Sequence, residues 1–167
     1  MPSEADGVMS IRKKVEVVNT NVTDQVLHLI AKSMSEACSG IVKGAAWVPV
    51  VHIIHSLGVH SMRVPGLQAG PVERAKALNE IDHQLSELKG KLVITLADVW
   101  IGEDTPDCCA AVSWDVPLSG RRKALVAEVI ECSGRRTCCM LNYKRRADGQ
   151  VLFGEPLWGD PSTSSGF

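Results

Sequence analysis

The sequence has almost no excess of charge: 18 Lys and Arg stand against 19 Asp and Glu, a formal net charge of −1. No global field would draw in nucleic acid or an anionic membrane surface, so neither is an expected partner. Long apolar runs are missing too. The longest, residues 45–57, is interrupted by Pro49, His52 and His55 and falls short of the ~20 residues a spanning helix needs. No membrane span is expected. Residues 1–19 put Glu4 and Asp6 ahead of Arg12, Lys13 and Lys14 and hold no compact apolar stretch, which argues against a secretion signal. The six cysteines lack the CxxC spacing of zinc sites: Cys108-Cys109 and Cys138-Cys139 are adjacent pairs, whose side chains leave a strand on opposite faces. They read as reduced thiols, which fits a cytoplasmic setting, with a mitochondrial one left open. His28, His52, His55 and His60 form no recognised ligand set with a carboxylate, so no metal is expected. There is no internal repeat.

What is present suits one globular domain: 167 residues, 45% hydrophobic and 22% charged. Apolar residues at Val22, Val26, Leu29, Ile30 and Met34 predict an amphipathic helix over residues 21–38, with Asn21 or Thr23 as N-cap and Gly40 as stop. Pro49 at a first turn predicts a second helix over residues 50–57, ended by Gly58. Met62 and Val64 alternate before Pro65-Gly66, and residues 72–78 read as a short strand after Gly70, so the two predict a hairpin. Residues 90–102 are apolar on all sides apart from Lys91, Thr95 and Asp98, and periodicity leaves strand and helix equally open there. Residues 108–116, 123–132, 136–146 and 151–158 are β-rich runs separated by Leu118-Ser119-Gly120, Ser133-Gly134 and Ala147-Asp148-Gly149, the pattern of an antiparallel meander. The Ser/Gly-rich residues 161–167 are expected to be a disordered tail.

The stretch Leu88-Lys89-Gly90-Lys91-Leu92-Val93-Ile94-Thr95-Leu96-Ala97-Asp98 resembles the L-H-G-G-x-x-x-T-L-x-D signature of hotdog acyl-CoA thioesterases. Val112-Ser113-Trp114-Asp115-Val116-Pro117 resembles that family's strand ending in an aromatic-x-x-Pro turn. Residues 127–137 and 147–149 resemble its next hairpin and its last turn, and the order holds from Leu57 to Trp158. The resemblance implies an α+β hotdog fold, an antiparallel β-sheet wrapped around a long central helix. Residues 46–160 would form it, with residues 1–45 as an N-terminal helical extension. It also resolves the ambiguous segment as the central helix, over residues 92–101. The implied activity is hydrolysis of a fatty or aromatic acyl-CoA, with coenzyme A as part of the substrate, no separate cofactor, and a homodimer or homotetramer as the assembly.

The resemblance gives Asp98 the role of nucleophile or general base; a carboxylate among Leu96, Ala97, Val99 and Trp100 must in any case be paired, hydrogen-bonded or functional. Gly90 falls at the oxyanion-binding amide, His83 at a residue that orients water or the carbonyl, and Asp107 near a catalytic hydroxyl, with Ser113 the other candidate there. Arg135, Arg136, Thr137 and Lys144 fall where the family meets the CoA phosphates, and Lys89 and Lys91, beside Gly90, are further candidate CoA contacts. One departure stands out. The usual His-Gly-Gly is Lys89-Gly90-Lys91, which leaves open a non-catalytic protein that binds acyl-CoA or scaffolds a partner, and behind it a hotdog dehydratase.

Overall fold

The computed structural model describes residues 23–102 and 121–159. Helix α1 (Asp24–Val42) starts at Thr23, whose Oγ1 accepts from the Val26 amide at 3.4 Å. It runs past Gly40 and ends at Lys43, and the Ile41 carbonyl accepts from the Gly44 amide at 3.0 Å and from Arg145 Nη2 at 2.7 Å. Strands β1 (Val50–His55) and β2 (Gly58–Arg63) form a tight hairpin. A 3₁₀ turn (Pro65–Gln68) leads to helix α2 (Pro71–Glu87), followed by β3 (Leu92–Gly102), β4 (Arg121–Glu131), β5 (Arg136–Arg145), β6 (Val151–Phe153) and β7 (Leu157–Gly159). The strands make one open antiparallel sheet in the order β2-β1-β3-β4-β5-β6, with β7 also on β5.

Three expectations about local structure are corrected. Residues 50–57 are a strand and a turn, not a helix: Val50, Val51, Ile53 and Ile54 are β-branched and buried on both faces, which suits a strand interior to the sheet. Residues 72–78 belong to α2, where Pro71 occupies the first turn and Glu73, Arg74 and Lys76 lie on the outer side. The hairpin partner of β2 is therefore β1. Residues 92–101 are not a central helix; they lie in β3, hydrogen-bonded to β1 on one side and β4 on the other. Burial on both faces removes the polar stripe in a strand just as in an enclosed helix, and Val93, Ile94, Thr95 and Val99 tip the balance to β. The runs at 123–132 and 136–146 are β4 and β5, and 151–158 splits into β6 and β7 around residues 154–156. The turn glycines Gly134 and Gly149 take φ of 90° and 88°. The expected strand at 108–116, the turn at 118–120 and the tail 161–167 lie outside the described residues.

The two helices lie on opposite faces. Val26, Ile30, Met34, Ala37, Cys38 and Ile41 of α1 pack on Ile54, Ile94, Leu96, Leu125, Ala127, Cys139 and Leu141. Ala77 and Ile81 of α2 pack on Val51, Ile53 and Val93, the alternate residues of the same strands. Helix α1 thus belongs to the main core. Cys138 and Cys139 face opposite ways, one in each layer, and with Cys38 and Cys132 they are free thiols. Burial pushes the Cys38 thiol up to about 12.

Gly90 sits in the connection from α2 to β3 because nothing larger fits. A Cβ there would overlap Leu85 Cδ1 and come within 2.7 Å of Ile53 Cγ2. The Leu85 methyl can swing away, but Ile53 is wholly buried and stiff at χ1. Gly90→Ala is therefore expected to cost about 1–3 kcal/mol, read as a fall in the chemical denaturation midpoint at unchanged slope. An unchanged midpoint would refute this packing.

Candidate functional site

The residues singled out from sequence fall into separate places. Asp98 lies on the α1 side of β3 with its side chain 13% exposed. Both its oxygens accept from the Tyr143 hydroxyl, at 2.7 and 2.8 Å, and Lys123 Nζ stands 3.4 Å from Oδ2. Burial, and then the hydrogen bond to Asp98, push the Tyr143 phenol well above its usual range, so it stays a donor. The carboxylate is paired, as its apolar setting requires.

Gly90 is eight residues earlier in the chain, roughly 26 Å away at the rise of an extended strand. Its amide donates to the Leu85 carbonyl at 2.9 Å, at the C-terminal end of α2. An amide so engaged is not available to an oxyanion, and the negative end of a helix disfavours one. His83 is on the outer side of α2, with Nε2 3.1 Å from Glu87 Oε1 and both side chains more than half exposed. Asp107 and Ser113 lie outside the described residues.

The cations behave differently. The Cys132 amide donates to the Lys91 carbonyl at 3.1 Å and its Sγ to the Gly90 carbonyl at 3.0 Å, so the β4–β5 hairpin sits against the start of β3. This brings Lys89, Lys91, Arg135 and Arg136 to one end of the sheet, next to Thr137. Arg136 is paired with Glu128, and Arg135 Nε is 4.0 Å from Glu131. Lys144 is at the other end of β5, roughly 26 Å from Arg136.

A cluster that the sequence reading did not assemble links α1 to the hairpin. His52 Nδ1 is 2.7 Å from Ser61 Oγ, and its Nε2 is 2.8 Å from Ser33 Oγ. Ser33 lies on the buried stripe of α1, among Ile30, Met34 and Ala37. His52 is in the middle of β1 and opposite Ser61 on β2. His52 and Ser33 are 7% and 6% exposed, whereas Ser61 is open to solvent. Antiparallel pairs alternate between hydrogen-bonded and open, and the Val64 amide donating to the Pro49 carbonyl at 2.8 Å sets the phase. The His52–Ser61 pair is therefore an open one. Its side chains come close together, and the Ser61 N–H points away from β1 to the free edge of the sheet.

With Ser33 accepting from Nε2–H, the Nδ1 lone pair is left facing the Ser61 hydroxyl. Burial lowers the His52 pKa below its ordinary 6.5; the Glu36 carboxylate opposes that shift and Lys32 adds to it. The imidazole is thus a neutral base at neutral pH. An exposed hydroxyl bonded to a base, and the base bonded to an orienting group, is the arrangement that activates a nucleophile.

Among the described residues no group of three His, Cys, Asp or Glu side chains could hold a metal ion, and no helix is long and apolar enough to cross a membrane. The described residues form an α+β fold with an open, seven-stranded antiparallel sheet and a helix on each face. No family model, curated protein or solved structure matches the chain.

Proposed function

We propose that the chain hydrolyses acyl thioesters through Ser61 as nucleophile, His52 as general base and Ser33 as the residue that positions the imidazole. The observation that carries this reading is the 2.7 Å contact between His52 Nδ1 and the exposed Ser61 hydroxyl, with Nε2 held from behind by Ser33. Ser61 Oγ attacks the thioester carbonyl as its proton passes to Nδ1. The carbonyl oxygen takes up the negative charge, and the outward Ser61 N–H is a donor at the sheet edge for it. The thiolate then leaves and recovers the proton, and water activated by the same imidazole releases the acid.

The resemblance supplies the thioester, and the cationic end of the sheet supports it. The Lys91 amide donates to the Ile54 carbonyl, two residues along β1 from His52, so the sheet end that carries Lys89, Lys91 and Arg135 starts roughly 7 Å along the strand from the imidazole, whereas Arg136 turns with Cys138 to the opposite face. A hotdog-like reading of the fold belongs to the same proposal, with α1 rather than residues 92–101 as the helix laid across the sheet.

Thiol release from acyl-CoA, with Ser61→Ala and Asp98→Asn compared, tests the assignment. Loss of the rate in Ser61→Ala alone supports it. Loss in Asp98→Asn with Ser61→Ala still active returns the chemistry to the carboxylate. Binding of acyl-CoA without release of thiol replaces hydrolysis with the non-catalytic reading.

A further inference from the structure

Two residues beyond Ser61 on the same face of β2 is Arg63, roughly 7 Å along the strand. Its guanidinium carbon stands 5.3 Å from the centroid of the Trp47 ring. Trp47 is itself fixed: it packs on the α1 side of the core, and its Nε1 donates to the Leu96 carbonyl at 3.2 Å. The indole holds the guanidinium by a cation–π contact, which uses none of its N–H donors. Among the described residues Arg63 has no hydrogen bond and no carboxylate partner, although it is exposed. A long cationic side chain normally carries a large rotamer entropy; stacked on a fixed ring, this one loses less on binding.

We infer that Arg63 is a specificity residue of the site containing Ser61, selecting acyl groups that end in a carboxylate a few carbons beyond the scissile carbonyl. This rests on the assignment of Ser61 as nucleophile. The carboxylate is the chemistry that a guanidinium edge takes bidentately. The spacing of Ser61 and Arg63 suits a short dicarboxylic half-thioester, in which one end reacts and the other is held. Of the charged groups that act on His52, Lys32 on α1 adds to the attraction and Glu36, on the same helix, opposes it.

The test compares a succinyl with a butyryl thioester of the same thiol, equal in chain length and differing in the terminal charge. The wild-type chain is expected to favour the succinyl substrate by about 10- to 100-fold in kcat/KM, since a hydrogen bond to a charged group discriminates by about that much. Arg63→Gln should collapse the ratio to near one through KM, and Arg63→Lys should restore part of it. A wild-type ratio near one, or a ratio unmoved by Arg63→Gln, overturns the inference. Hydrolysis of both substrates by Ser61→Ala overturns the nucleophile assignment and leaves the ratio to be read on its own. If neither substrate turns over, calorimetric binding of a non-hydrolysable succinyl thioether decides the matter: binding weakened by Arg63→Gln upholds the inference, and binding unaffected by it, or none, rejects it.

Discussion

His52→Gln is expected to lower thioester hydrolysis by about 10²- to 10⁴-fold, the usual contribution of a positioned general base. Glutamine retains polar atoms that can meet Ser33 and Ser61 but cannot take a proton at neutral pH, so the loss should fall on kcat with the fold intact. The pH dependence gives a second reading. Because burial lowers the His52 pKa, the acid limb of the rate should bend below 6.5. Stability follows the same group. The unfolded chain binds the proton more tightly than the folded one, so this stabilisation is fully present above 6.5 and is lost as the pH falls towards the lower folded value. Among the described residues Glu36 and Lys32 on α1 are the charged groups that act on the imidazole, while its partner on β3, Ile94, is apolar. In His52→Gln that part of the stability profile should become flat. A wild-type rate retained by the variant would remove the base from the mechanism.

The parts of the fold legible in the sequence are those set by short-range rules. Thr23 caps α1 because its hydroxyl meets an amide three residues on. Gly134 and Gly149 end β4 and β5 because a positive φ is needed there. Segments in which two rules compete were misread. Pro49 is a helix-start signal, but the four β-branched residues that follow favour a strand once neighbours on both sides bury them. The burial of Asp98 was visible from its apolar surroundings, but its partner Tyr143 is 45 residues away, and only the pairing of β3, β4 and β5 joins them.

The Ser33–His52–Ser61 cluster was hidden for the same reason. Once the two-residue turn at 56–57 is known, His55 pairs with Gly58 and His52 must oppose Ser61. A helix over residues 50–57 erases that register. Ser33 carried a weaker signal, a lone hydroxyl on an otherwise apolar helical stripe, which calls for a buried partner. The resemblance drew attention to Asp98 and Gly90, which the strand geometry keeps far apart.

Removing residues 1–45, the N-terminal helical extension that the resemblance left outside the hotdog domain, is expected to abolish the fold. Helix α1 covers the face of the sheet that carries Ile94, Leu96, Leu125, Val129 and Leu141, each at most 2% exposed. Val26, Ile30, Met34 and Ile41 are buried there in turn. Four such side chains, at about 1.5–3 kcal/mol each, contribute roughly 6–12 kcal/mol, comparable with the 5–15 kcal/mol net stability of a typical domain. That sum omits the sheet residues left facing water. It also omits the loss of Ser33, which would leave the His52 imidazole without its partner on α1. The shortened chain should show no cooperative thermal transition and collapsed amide dispersion in its NMR spectrum. A sharp melt near that of the full chain would mean that the sheet does not depend on α1, and the whole account of the core would have to be rebuilt around β1–β5 alone.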